Sequence, residues 1–107
     1  MTLTGVGYHP EATLELRADV AWYEHRRAGV GDRLEVAVEA LADDLLAWPE
    51  SGPVWPEWDT MPLVRSYGVP GFPYRLVYFV REPELVVVAV AHERRRPGYW
   101  RDRLTTA

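Results

Sequence analysis

Apolar positions along this chain follow two rules. In the first half they recur every three or four residues, and in the second they form continuous runs. Residues Thr2 to Tyr8 alternate loosely and predict a short first strand. His9-Pro10-Glu11 then opens a helix, with proline at the first helical position and an acid in the first turn. Leu14, Ala18, Ala21, Trp22 and His25 recur at helical spacing and predict a helix from Pro10 to about Ala28. Ala28-Gly29-Val30-Gly31 interrupts the pattern, and Asp32 is placed to begin a second helix. Its buried stripe reads Leu34, Ala37, Val38, Leu41, Leu45 and Trp48, and it stops before Pro49. So short a linker folds the two helices back as an antiparallel hairpin. Trp22, Tyr23 and Trp48 lie on these stripes and are expected in the core.

From Pro49 to Pro62 the chain is irregular, with four prolines and Trp55 and Trp58, which are expected to pin the loop by closing the core. Leu63 to Val69 reads as a second strand, Pro70-Gly71-Phe72-Pro73 as a turn, and Tyr74 to Arg81 as a third strand. Glu82-Pro83-Glu84 forms a hairpin tip, and Leu85 to Ala91 a fourth strand. That last run is almost all Val and Ala, which calls for burial on both faces or a central place in the sheet. Pro97 can open a short final helix over Gly98 to Leu104. The order β-α-α-β-β-β-α predicts an α+β fold across a single domain, residues 1–107, with a helical hairpin packed on a small, mostly antiparallel sheet.

Composition narrows the function. A chain of 107 residues with 48% hydrophobic content is one compact domain. It has no cysteine, so thiolate metal sites and disulfides are ruled out. His9 and His25 lack ligand-like spacing to a third donor, so they read as structural, and no metal or cofactor is expected. No stretch approaches a membrane span and no signal-peptide pattern opens the chain, so a soluble cytoplasmic protein is expected. All twelve basic residues are arginine, as codon bias in a GC-rich genome would produce. The net charge of -4 is unevenly spread: twelve acids face four arginines through Asp59, whereas eight arginines oppose four acids from Thr60 onward. Anion binding is therefore a property of the C-terminal half only.

There the third and fourth strands form a rigid hairpin that delivers His92-Glu93-Arg94-Arg95-Arg96-Pro97-Gly98-Tyr99-Trp100 to one sheet end. Guanidiniums bind phosphate, and flat aromatics stack on unpaired bases. Arg75, inside an apolar strand, must be paired, with Glu93 or a helix acid as the simplest partner. His92 can exchange protons near neutrality, or it can end its strand and set the direction of the tail by a local hydrogen bond. Arg65, Arg95, Arg96 and Trp100 are candidates for nucleic-acid or partner contact.

Several segments resemble the RelE/ParE superfamily of bacterial toxins, on the side of its ParE-like, plasmid-stabilisation branch. The similar stretches are His9-Pro10-Glu11-Ala12, Ala21-Trp22-Tyr23-Glu24 with Arg27-Ala28-Gly29-Val30-Gly31-Asp32-Arg33, and Trp48-Pro49-Glu50-Ser51-Gly52-Pro53. Phe72-Pro73-Tyr74-Arg75-Leu76-Val77-Tyr78 and Ala89-Val90-Ala91-His92 with the tail complete the resemblance. It implies a type II toxin that arrests growth, is silenced by a cognate antitoxin and can join it in a hetero-oligomer. Two activities occur on this fold, so fold alone does not choose between them. ParE-like members poison DNA gyrase; RelE-like members cut mRNA on the ribosome without a metal. For the second, the resemblance assigns Arg75, Arg94, His92 and Tyr99 as catalytic. A direct count from Arg94 lands on Trp100, which cannot exchange a proton, so Tyr99 would have to substitute. The lysines used by the mRNA-cutting branch are also missing, with only Arg65 and Ser66 in that region. The long helical hairpin favours the gyrase-directed branch. A non-toxic relative that only binds a protein partner is the third reading.

Overall fold

A computed structural model of the chain describes residues 2–106. The elements are β1 (Gly5–Tyr8), α1 (Pro10–Arg26), α2 (Val30–Ala47), β2 (Val64–Gly68), β3 (Tyr74–Arg81) and β4 (Glu84–His92), with 3-10 turns at Pro49–Ser51 and Arg101–Thr105. The four strands form one sheet in the order β1-β4-β3-β2, in which only the β1–β4 pair is parallel. The expected α+β architecture is therefore present, and β4, with its run of Val and Ala, lies between β1 and β3.

Each face of the sheet has its own core. The helical hairpin covers one face, where Ala12, Leu34, Val38, Leu41 and Leu45 pack on Leu76, Tyr78, Leu85, Val87 and Val90. On the other face, Val77, Phe79, Val86 and Val88 are covered by Trp100, with Trp55 and Trp58 against it. The Trp55 ring meets Trp100 edge-on at 5.0 Å, and Trp58 lies tilted at 5.8 Å. The proline-rich loop thus closes the core as expected, and the C-terminal tail supplies the central ring. This second cover explains why strand residues of both parities are apolar.

Several expectations need correction. Leu14, Trp22 and Trp48, expected inside, are exposed at 56%, 52% and 74%. In α1 the inward side is Ala12, Leu16, Val20 and Tyr23, one step round the helix from the stripe read in the sequence. Trp48 stands just beyond α2, where the chain leaves helical geometry, and its ring points away from the core. The first strand is shorter than Thr2 to Tyr8, and the final helix is a 3-10 turn that starts at Arg101.

Nor does α2 begin at Asp32; it begins at Val30, after Gly29 in a left-handed conformation (φ 90°). Its first amides are capped from the other helix. The Glu24 carboxylate accepts from the Gly29 and Asp32 N–H groups at 3.1 and 3.0 Å, and these bonds hold its pKa below the ordinary value. The helices can approach this closely because Gly31 has no side chain: a Cβ there would lie 2.3 Å from the Val20 carbonyl oxygen.

Candidate functional site

The site begins with an unfinished sheet edge. β1 pairs with β4 only from Glu84 to Val87, and the His9 N–H closes the ladder on the Val87 carbonyl at 2.9 Å. Beyond this point β4 has backbone groups facing no strand, and bare strand edges attract unwanted pairing. Side chains take over the pairing. The Glu15 carboxylate, projecting from α1, accepts the Val90 N–H at 3.1 Å, and the Arg103 guanidinium donates to the Val88 carbonyl at 3.0 Å. Arg103 and Glu15 face each other through two further bonds of 3.0 Å, a bidentate pair.

Tyr99 completes this clasp by donating its hydroxyl to Glu15 at 2.5 Å. Burial, then the Glu15 hydrogen bond and charge, push the phenol well above its ordinary pKa. Burial opposes the charge on Arg103, but the bonds to Glu15 outweigh it and raise that pKa. Arg95 stacks on the Tyr99 ring at 3.9 Å and lies 3.9 Å from Glu15. The exposed side of the clasp is therefore cationic, while Glu15 itself is only 14% exposed.

A second group adjoins it at the end of the sheet. Burial raises the pKa of Asp19, one turn after Glu15; Tyr74, His92 and Arg95 act against that rise. Burial and the nearby Asp19 raise the Tyr74 phenol in turn. The His92 ring meets Tyr74 edge-on at 5.1 Å, and its Nδ1 accepts the Arg94 N–H at 3.0 Å. His92 thus makes the local bond that sets the tail's direction.

A shallow cleft opens beside this group, lined by Trp55, Arg75, His92, Arg95, Arg96 and Tyr99. Six of the eight residues singled out in the sequence meet around it, since Trp100 forms its inner wall. Arg65 and Arg94 stand outside it. Arg65 donates to the Gly52 carbonyl at 2.9 Å on the far side of the loop, and Arg94 is exposed. Arg75 does not pair with Glu93 or a helix acid; its Nε donates to the Ser66 hydroxyl at 3.0 Å. Trp100 is 1% exposed, so the role of surface contact proposed for it must be corrected: its ring is enclosed by Trp55 and Trp58.

Sequence reasoning missed Glu15, Asp19 and Arg103. Glu15 and Asp19 are one turn apart on α1 and flank its true inward side, Ala12, Leu16 and Val20. Acids placed beside a buried stripe were the signal available.

A helical hairpin on one face of a four-stranded sheet, with an arginine-bearing tail wrapped round its edge, defines an α+β domain of the RelE/ParE type. The family described as the ParE toxin of the type II toxin-antitoxin system, parDE, matches residues 6–97, and the chain belongs to it. It is thus the toxin of a type II toxin–antitoxin pair. Its fold is similar to that of a chain in a solved chromosomal ParDE TA system from P. aeruginosa, with a TM-score of 0.68 and 14% identity, over 84% of this chain and 96% of that one. No curated protein matches the chain.

Proposed function

We propose that this toxin arrests growth by inhibiting DNA gyrase, and that a cognate antitoxin binds and neutralises it. The reading places its action in the cytoplasm, with the chromosome; no helix among the described residues is long and apolar enough to cross a membrane. The observation that carries the proposal is the state of Tyr99. Metal-free RNA cleavage needs a base for the 2′-hydroxyl and an acid for the departing oxygen. The Tyr99 hydroxyl is already given to Glu15 and its phenol resists ionisation, while Trp100, at the other candidate tail position, is buried and has no exchangeable acid. His92, the imidazole in the cleft, has its Nδ1 taken by the Arg94 N–H, and what the cleft otherwise offers is cations beside an aromatic wall: Arg75, Arg95 and Arg96 with Trp55. That is equipment for binding a charged surface.

The test is direct. Purified toxin added to gyrase should block ATP-dependent supercoiling and leave ribosome-bound mRNA intact. Ribosome-dependent cleavage of mRNA, lost in Arg94→Ala, would replace this reading with the endonuclease. Neither effect, together with unimpaired growth on induction, would leave only partner binding.

A further inference from the structure

We infer that the acidic, apolar surface around Trp48 is the seat of a basic amphipathic segment of the antitoxin. The inference rests on the preceding section only in requiring that a cognate antitoxin binds this chain.

Seven large apolar side chains are exposed among the described residues, and four of them, Trp48, Met61, Leu63 and Tyr67, share one side of the molecule. Trp48 is the ridge between two hollows. One lies between α2 and β2, against Leu41, Tyr67 and Pro70, with a volume of about 480 Å³. The other, of about 500 Å³, lies between Trp48 and the Met61–Leu63 stretch. An exposed cluster of this kind is a mark of association. Tryptophan is also the side chain most often found at the energetic centre of interfaces.

Trp48 is held ready for a partner. Its N–H donates to the Asp44 carbonyl at 3.0 Å, and its own carbonyl accepts from both the N–H and the hydroxyl of Ser51, at 3.0 and 2.7 Å. The next carbonyl, that of Pro49, accepts the hydroxyl of buried Tyr78 at 2.5 Å. An exposed ring on so fixed a backbone loses little freedom on docking.

Charge identifies the occupant. Asp44, Glu50 and Glu82 line the hollows, and Asp43 stands next to Asp44. Among the described residues, Asp43, Asp44 and Glu50 have no side-chain ion pair. Of the nearby cations, Arg65 is turned inward onto the carbonyls of Gly52 and Glu50, and Arg81 lies over the Phe79 ring. Nucleic acid is repelled from such a surface. A second copy meeting it face to face would set acid against acid, and one meeting it with its arginine-bearing end would build an open chain rather than a closed dimer. A segment with one apolar anchor for each hollow and Lys or Arg beside them satisfies every feature at once.

The experiment titrates the full-length cognate antitoxin against wild-type toxin and against Trp48→Ala, Met61→Ala and the double reversal Asp44→Arg/Glu50→Arg, at low and high salt. Circular dichroism confirms folding, and Met61, 83% exposed, is a variant whose folding is not in question. Trp48→Ala should weaken binding about 30-fold, the loss of one hot-spot side chain. The charge reversal should weaken it and flatten its salt dependence. All three variants should still inhibit gyrase but be less well silenced by antitoxin. Affinities within twofold of wild type would overturn the inference. So would loss of gyrase inhibition in Trp48→Ala with antitoxin affinity intact, since the surface would then belong to the target. If wild type itself fails to inhibit gyrase, the functional reading falls, while the antitoxin titration still decides this one.

Discussion

Two tryptophans, Trp100 and Trp48, mark the contrast between the clasped region of this toxin and its open one. Trp100 is 1% exposed, walled by two other indoles, and part of a tail that Glu15 ties to the sheet edge. Trp48 is 74% exposed on an equally fixed backbone, between two hollows lined by acids. The clasped region has spent much of its chemistry on folding: Tyr99 and Arg103 serve Glu15, and Arg75 serves Ser66. In the open region the chemistry is unspent. Arginines therefore guide the search for a partner only after the internal pairs are subtracted: Arg103 and the Nε of Arg75 are engaged, while Arg94, Arg95 and Arg96 stay exposed at the cleft end.

The sharpest way to break the contrast is to untie the clasp. Glu15→Ala leaves the Arg103 charge without its counter-ion and the Val90 N–H without its acceptor, and should cost about 3–5 kcal/mol in urea unfolding. Trp100→Ala should cost a similar amount, about 3–5 kcal/mol, by opening a cavity between Trp55 and Trp58. Losses under 1 kcal/mol would mean that the tail is not held as described. Tyr99→Phe removes one hydrogen bond to a charged group and should cost about 1.5–3 kcal/mol.

That same tyrosine predicts a pH dependence. Its folded pKa is raised above the ordinary phenol value of 10.0, so its contribution is complete below about pH 10 and is lost as the pH rises further. Tyr74 acts in the same sense. Urea midpoints should therefore fall steeply above pH 10 in wild type and less steeply in Tyr99→Phe. An equal fall in both would remove Tyr99 from the clasp. The smallest effect belongs to the open region: Trp48→Ala should change stability by no more than about 0.5 kcal/mol, although it deletes the largest side chain in the repertoire. A cost near that of Trp100→Ala would mean that Trp48 supports the fold.

How far the sequence could be read depends on how local each signal is. The β3–β4 hairpin was legible because its apolar runs are bounded by prolines, and the loop tryptophans because exposed indoles are costly. The inward side of α1 was not. Leu14, Ala18, Ala21 and Trp22 recur at helical spacing, and so do Ala12, Leu16, Val20 and Tyr23, so periodicity fits both stripes, and only packing on β4 selects between them. The clasp was further from reach. Glu15 is separated from Val90, Tyr99 and Arg103 by 75, 84 and 88 residues, and its position reflects where β1 happens to end. Arg75 and His92 meet at one cleft because strand register sets them there: Arg75 pairs with Ala91, next to His92.

The most direct measurement sets wild type and Tyr99→Phe side by side in two assays, gyrase supercoiling and cleavage of ribosome-bound mRNA. A toxin that binds rather than cuts should block supercoiling in both forms, at temperatures where both are folded, and should leave the mRNA whole. Cleavage by wild type that disappears in Tyr99→Phe would contradict this, because the hydroxyl held by Glu15 would then be the group that moves the proton.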